Sequence, residues 1–198
     1  PAGLAEFLPT LKKLKRISDV VISLIILVLT LPLNIFVAIA IKLDSKGPVL
    51  FKQERIGMNN KNFTIYKYRS MYLDAEKITG PVWSTKDDPR VTRVGKIMRK
   101  LRIDEIPQFF NVLKGEMSLV GPRPERPYFV EQLSQQIPYY KRRLKVRPGI
   151  TGWAQVRYTY GASVEDALEK LQYDLYYIKN LTIALDLFIV FNTVKTVI

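Results

Sequence analysis

From Val20 to Ile41 (VVISLIILVLTLPLNIFVAIAI) the chain runs for 22 residues without a charge. About 20 helical residues cross the hydrocarbon of a bilayer, so a single spanning helix is the first expectation. The run is too long for a secretory signal and no small-residue cleavage site follows it. Two features oppose a straight span. Pro32 lies near the middle, where it removes an amide donor and clashes with the preceding turn; Asn34, two residues on, could bond the freed backbone groups. Basic residues also flank both ends, Lys12, Lys13, Lys15 and Arg16 before and Lys42, Lys46, Lys52 and Arg55 after. Positive charge favours the cytoplasmic side, and a helix that breaks at Pro32 and returns to the face it left satisfies both flanks. A re-entrant hairpin and a kinked span both remain open on these features.

The rest of the composition narrows the chemistry. The 198 residues suffice for one ordinary core, and there is neither cysteine nor histidine. Disulfides, thiolate metal sites, imidazole bases and Ser-His-Asp triads are therefore excluded. Catalysis would have to run on carboxylates, Lys, Arg, Tyr, Ser or a metal held by oxygen. The excess of 31 Lys+Arg over 18 Asp+Glu, a net charge of +13, demands an anionic partner such as nucleic acid, anionic lipid or a phosphorylated substrate. The start at Pro1 and the apolar end at Ile198 read as a piece of a longer protein.

Residues 1–16 form a basic amphipathic lead-in. Crude period-two alternation at 48–57 and 62–71, with turn chemistry at Met58–Lys61, predicts a β-hairpin. A short helix is expected at 72–79 and a loop at 80–90. Helices are expected at 91–101, with Val94, Ile97, Met98 and Leu101 on one face, and at 104–114, with Pro107 in its first turn. GEMSLVGPRPERP then reads as a stiff loop, 125–145 as helix interrupted near Pro138, and 146–161 as loop. Residues 163–179 form a helix opened by Ser163, with Asp166 completing a capping box. Leu181 to Ile198 is nearly as apolar as the first run. Because Asp186 would be costly inside a bilayer, an interfacial helix is expected there, against a core helix as the alternative.

Asp104-Glu105 is the sharpest chemical feature. Two acids at a helix start can be plain complements to the dipole. Arg99, Lys100 and Arg102 precede them, however, and Arg123 follows in Gly121-Pro122-Arg123-Pro124. Carboxylates among cations can hold a divalent metal beside a phosphate, or attack phosphorus directly. On the pleat, Lys67 and Arg69 share a face and suit a phosphate clamp, or simply a solvated strand edge. The proline-stiffened Arg123 suits bidentate phosphate binding, or merely a turn. Arg147 in Arg147-Pro148-Gly149-Ile150-Thr151-Gly152-Trp153 has the same character, with Trp153 free to stack or pack.

KYRSM at 67–71, LRIDEIPQFFNVLKGEMSLVGPRPE at 101–125 and VRPGITGWAQV at 146–156 closely resemble the bacterial sugar transferases, the monotopic polyprenyl-phosphate phosphoglycosyl transferases. FKQERIG at 51–57 and YDLYYIKN at 173–180 match as well, so the likeness covers residues 12–198. The resemblance implies an α/β fold, mostly helical with a small β-hairpin, seated on the membrane through a re-entrant helix hairpin and interfacial amphipathic helices. It implies a basic lead-in and re-entrant helix over 1–46 and a cytoplasmic catalytic domain over 47–198. The family's helix break maps onto Pro32, although the serine that often precedes it is Leu31 here. Asp104 and Glu105 map onto the catalytic dyad, Asp104 as nucleophile and the pair as the site of Mg²⁺ or Mn²⁺. Lys67 and Arg123 match basic residues near the phosphates, to which Arg69, Arg102 and Arg147 are added as candidates.

The implied reaction moves a sugar 1-phosphate from a UDP-sugar to undecaprenyl phosphate through an aspartyl-phosphosugar intermediate, releasing UMP. It belongs to exopolysaccharide, O-antigen and lipopolysaccharide synthesis at the cytoplasmic face of the bacterial inner membrane. The C-terminal half looks most like hexose-1-phosphate transferases. The implied partners are the UDP-sugar, polyprenyl phosphate and membrane lipid, not nucleic acid; a homodimer is left open. The main competing reading, a non-catalytic basic membrane module binding anionic lipid or nucleic acid, leaves the acid pair among arginines unexplained. A polytopic enzyme acting on the same lipid is disfavoured by the presence of one long uncharged run.

Overall fold

A computed structural model describes residues 3–73, 75, 88–158, 161 and 163–197. Most of the expected 72–79 helix and 80–90 loop lies outside them. The described chain is mostly helical, with two small two-stranded sheets.

The basic lead-in is not a separate element. It is continuous with the first half of the apolar run in α1 (Gly3–Leu29), and α2 (Leu31–Asp44) carries the second half. The two axes differ by 62° across Thr30. The break thus precedes Pro32, which sits in the first turn of α2, where a missing amide leaves no bond unmade. The Thr30 hydroxyl donates to the Ile26 carbonyl at 2.7 Å and accepts from Asn34 Nδ2 at 3.3 Å. Asn34 therefore serves the bend through a hydroxyl rather than a freed carbonyl, and that hydroxyl stands one position before the family's serine. No single helix among the described residues is long and apolar enough to cross a membrane, whereas the bent pair together has the length and composition. Its apolar side chains are largely bare: Val28, Leu29 and Phe36 are 69%, 74% and 70% exposed.

Both ends of this pair are bolted to the same body. On α1, Lys15 meets Asp186 at 2.6 Å, Arg16 donates to the carbonyls of Val112 and Leu113, and Asp19 accepts the Leu119 amide at 3.2 Å. On α2, Val37 and Ile41 are buried against Tyr68 and Met98, and Asp44 accepts the Val94 amide at 3.1 Å.

The expected hairpin forms from β1 (Leu50–Ile56) and β2 (Asn62–Tyr68), with Leu50 opposite Tyr68 and Ile56 opposite Asn62. Asn59 and Asn60 take the left-handed turn, at φ of 57° and 61°, a conformation asparagine tolerates. α3 (Arg93–Lys100) is capped by the Thr92 hydroxyl, which accepts the Gly95 amide at 3.0 Å. A continuous helix over 104–114 does not form. Pro107 has no amide to reach the Ile103 carbonyl, so Ile103–Glu105 closes as a 3₁₀ turn and α4 begins at Gln108, running to Lys114.

The two stretches expected as loops hide a second sheet: β3 (Ser118–Val120) pairs in parallel with β4 (Gly149–Thr151). Glycine makes this approach possible. A Cβ on Gly121 would lie 2.4 Å from the Arg147 carbonyl, and one on Gly149 2.1 Å from the Gly121 amide. After β3 come α5 (Pro127–Gln136) and a 3₁₀ turn at Tyr140–Lys145; after β4 comes α6 (Trp153–Arg157). α7 (Val164–Lys179) has the expected Ser163–Asp166 capping box, and α8 (Ile183–Val197) closes the chain. α8 turns Ile189 fully into the core while Phe191 is 71% exposed. Asp186 faces inward to Lys15 and the Tyr177 hydroxyl, which leaves the outer face of α8 apolar except for Lys195 in its last turn.

Candidate active site

The 3₁₀ turn at Ile103–Glu105 delivers two carboxylates to the floor of a cleft of about 750 Å³. Arg102 makes this possible by taking a left-handed conformation, φ 56°, which reverses the chain between α3 and the turn. Asp104 and Glu105 are each 7% exposed. Glu105 Oε1 accepts from Lys67 Nζ at 2.9 Å and from Arg123 Nη2 at 2.7 Å. Asp104 has no hydrogen-bond or ion-pair partner among the described residues.

Lys67 comes from β2 and Arg123 from the loop after β3, and that loop is held from several sides. Gly121 donates to the Thr151 carbonyl and Gly149 to the Pro122 carbonyl, both at 2.9 Å. Arg55 donates to the Pro124 carbonyl, and the Arg143 guanidinium to the Arg123 carbonyl, at the same distance. Such cross-bracing fixes the Arg123 backbone, and Glu105 fixes its guanidinium, before any ligand arrives, which is what an electrostatic site requires.

The adjacent acids are set in opposite directions. Burial alone would push Glu105 up, but Arg123 and Lys67, by charge and hydrogen bond, hold it well below the ordinary glutamate range. Burial also pushes Asp104 up; Lys67 opposes the shift, and the Glu105 charge adds to it. Lys67 is lowered by burial against the pull of Glu105, and Arg123 is raised chiefly by Glu105. Arg55 is lowered by burial to about 10 although Glu125 opposes the change. The result is one carboxylate saturated with cations beside one that is buried and unspent.

Of the residues singled out in the sequence, Lys67, Arg102, Arg123, Asp104 and Glu105 line this cleft together. Arg69 also lines it, but its guanidinium donates to the carbonyls of Ile41, Ser45 and Lys46 and so ties β2 to the end of α2. Its two terminal nitrogens are engaged in this way, while Nε is buried without a partner, so Arg69 shares the cleft with Lys67 with only part of its guanidinium committed. Arg147 lies elsewhere: its Nε donates to the Gly115 carbonyl at 2.9 Å and it lines a second cleft. Trp153 packs with Tyr176 and Phe188 at ring separations of 6.1 and 5.9 Å. Arg55, Arg90 and Arg126 line the first cleft and were not singled out; no motif marked them. Arg99, noted only as a neighbour of the acid pair, lines it too and bonds the Ser70 hydroxyl at 2.9 Å.

A divalent ion fits this donor set in one way. No cluster of three acidic residues exists among the described residues, so a cage made by protein alone is absent. Mg²⁺, however, is commonly held by one or two carboxylates with substrate phosphates and water completing six oxygens. Asp104, and the Glu105 oxygen not engaged by Lys67 and Arg123, would supply those carboxylates. Leu50 and Phe51, both 40% exposed, add apolar surface to the lining of the cleft.

The family model for bacterial sugar transferase matches residues 10–198. A UDP-N-acetylgalactosamine-undecaprenyl-phosphate N-acetylgalactosaminephosphotransferase of Aeromonas hydrophila is 51% identical over 185 residues, 93% of this chain and 44% of that protein. A UDP-glucose:undecaprenyl-phosphate glucose-1-phosphate transferase of Escherichia coli (strain K12) is 45% identical over 186 residues, 91% of this chain and 39% of that protein. An exopolysaccharide production protein PSS of Rhizobium leguminosarum bv. phaseoli is 44% identical over 189 residues, 91% of this chain and 93% of that protein. The chain thus spans less than half the length of the first two relatives.

Proposed function

The chain belongs to the bacterial sugar transferase family, and from that premise we propose that it moves a sugar 1-phosphate from a UDP-sugar to undecaprenyl phosphate. The observation that carries this reading is the unpartnered Asp104 carboxylate, buried among cations beside a doubly ion-paired Glu105. In a purely structural acid pair each carboxylate would have its own hydrogen-bonded cation, whereas here both cations meet Glu105.

In the proposed reaction an Asp104 oxygen attacks the β-phosphorus of the UDP-sugar. A bond forms between that oxygen and phosphorus. The bond from phosphorus to the bridging oxygen breaks, and UMP leaves with the electron pair. Arg123 and Lys67 hold Glu105 ionised and set positive charge around the developing phosphate oxygens. A bound divalent ion would neutralise diphosphate charge and ease departure of UMP. In the second half, an oxygen of the polyprenyl phosphate attacks the same phosphorus and restores the Asp104 carboxylate, giving the diphosphate-linked lipid sugar. Dividing the transfer lets one cleft handle two bulky substrates in turn. The test omits the lipid. Protein and UDP-sugar alone are expected to release a burst of UMP stoichiometric with enzyme and to leave a sugar-phosphate adduct visible in the intact mass. Absence of both would sink the covalent route in favour of direct attack within a ternary complex.

The bent α1–α2 pair is proposed to dip into the cytoplasmic leaflet of the bacterial inner membrane and return, with α8 lying at the interface. Its two ends, at Lys15–Asp19 and Ile41–Asp44, dock on one globular body while the apolar residues between them stay bare. A span would have to carry one end to the opposite face. The chain has no cysteine, so single cysteines at Lys12 and Lys46 report cleanly. Both are expected to be shielded from an impermeant reagent in intact cells; labelling of one alone would mean a spanning helix.

A further inference from the structure

A second cleft, of about 590 Å³, opens where α1 leaves the globular body for its apolar stretch. It is lined by six cations from two distant stretches of chain, Lys12, Lys13, Lys15 and Arg16 on α1, and Lys145 and Arg147 before β4, against a single carboxylate, Asp19. Some of that charge is already committed. Lys15 pairs with Asp186, Arg16 caps α4 carbonyls, Arg147 holds Gly115, and Asp19 accepts an amide from Leu119. Lys12, Lys13 and Lys145 are exposed and have no partner among the described residues.

An independent observation points to a ligand here. Ser118 lines the cleft, is 1% exposed, and its hydroxyl has no hydrogen-bond partner. A buried hydroxyl without a partner destabilises the fold, and an acceptor seated between it and the lysines would remove that cost. A phosphate oxygen suits both donor types.

We propose that this cleft binds the phosphate headgroup of an anionic phospholipid from the leaflet that receives the α1–α2 hairpin. The position favours a lipid over a free anion. The cleft sits immediately before Ile17 and Val21, which are 63% and 48% exposed, so a headgroup held by Lys12, Lys13 and Lys145 would leave its acyl chains beside bare apolar side chains. The site also lies apart from the dyad. Two elements run between them: β3, from Ser118 towards the loop that carries Arg123, and α4, from the dyad turn to the carbonyls that Arg16 holds.

The inference rests on the membrane reading of the hairpin, and the experiment keeps the two separable. Flotation of the full chain on phosphatidylcholine vesicles tests the hairpin. Titration of the detergent-solubilised protein with short-chain phosphatidylglycerol or phosphatidylcholine, read by native mass spectrometry, tests the cleft. One retained phosphatidylglycerol per chain is expected, with phosphatidylcholine held weakly. The K12Q/K13Q/K145Q variant should lower phosphatidylglycerol retention about five-fold per lysine removed. The charge-matched K61Q/K141Q/K179Q variant, outside the cleft, should retain the lipid like the unmodified protein. Ser118→Ala should weaken retention with no change of charge. Equal retention of the two lipids, or equal losses in the two triple variants, would overturn the proposal while leaving flotation intact. Displacement of the lipid by excess inorganic phosphate would assign the cleft to a free anion and overturn the lipid assignment.

Discussion

Two buried clusters of acid and arginine lie on either side of the Arg123 backbone, and they are built to opposite ends. In one, Asp174 on α7 meets Arg143 through Nε at 2.9 Å and Nη2 at 2.8 Å; both residues are buried, and the Arg143 guanidinium also reaches the Arg123 carbonyl. One acid meets one base, closed to any ligand. In the other, Lys67 and Arg123 both converge on Glu105 and leave Asp104 over, open to a cleft. Buried ion pairs repay their desolvation only when matched and fully hydrogen-bonded. The matched pair behaves as a strut; the unmatched acid is the group with reactivity to spend.

The largest effect expected of this difference is at Asp104. Asp104→Asn keeps the shape and removes the charge, so turnover should fall by roughly 10⁴–10⁶, the scale seen when a covalent nucleophile is lost. The lipid-free UMP burst should vanish with it, while UDP-sugar binding persists. Substantial turnover in Asp104→Asn would erase the distinction between the two clusters.

Chelation comes next. With only two carboxylates at the site, a divalent ion shared with substrate phosphates should exchange readily. Excess EDTA is expected to stop turnover and added Mg²⁺ or Mn²⁺ to restore it. Thermal unfolding of the protein alone should barely move, because the protein by itself offers too few ligands for tight binding. Full activity in EDTA would remove the metal from the dyad.

The two clusters were not equally legible in the sequence. The dyad could be read because adjacent acids inside an arginine-rich motif are rare in a plain helix, and because Pro122 and Pro124 announced a stiffened Arg123. Arg143 and Asp174 are 31 residues apart, in a helix-like stretch with nothing to mark their meeting. Local pattern reached the hairpin, the Thr92-capped helix and the Ser163 cap, whose signals span a few residues. It missed β3 and β4, whose three-residue strands have no periodicity to show and whose pairing depends on glycines 28 residues apart at Gly121 and Gly149. The hydrogen bonds of Arg69 were hidden for the same reason. Its strand face was right, but only the folded end of α2 supplies the carbonyls that occupy it. The bend at Thr30 rather than Pro32 reflects a rule applied two residues too late, since proline is tolerated in a helix's first turn and the break falls at the residue before that turn begins.

Arg123 belongs to both clusters and should show an intermediate effect. Its backbone is held by the strut and its side chain, 36% exposed, by the dyad. Loss of a charged hydrogen-bonding group costs about 1.5–3 kcal/mol, roughly 10- to 150-fold in kcat/KM. Arg123→Lys is expected to fall nearly as far as Arg123→Ala, because an ammonium cannot serve Glu105 and a phosphate with a planar fork. Recovery of most activity in Arg123→Lys would show that charge alone is used there.

The smallest effect on chemistry, and the sharpest check on the comparison, is expected at Asp174. Asp174→Asn leaves the Arg143 guanidinium buried without its counter-charge, which should cost about 3 kcal/mol of stability, or roughly 6–12 °C of melting temperature for a chain of this size. Below that temperature Arg143 can still donate to the Arg123 carbonyl, so kcat of the folded protein should change only a few-fold and the UMP burst should keep its full amplitude. The paired replacement Arg143→Met with Asp174→Leu separates the strut's two jobs. Removing both charges should recover much of the lost stability, since apolar residues can replace a buried pair without penalty. It also deletes the donor to the Arg123 carbonyl, so activity should fall below that of Asp174→Asn although the fold is firmer. If activity instead tracks stability across the three proteins, Arg143 acts only through the fold. If the burst disappears in Asp174→Asn while the protein remains folded, the saturated pair takes part in the chemistry and the division between strut and reactive site fails.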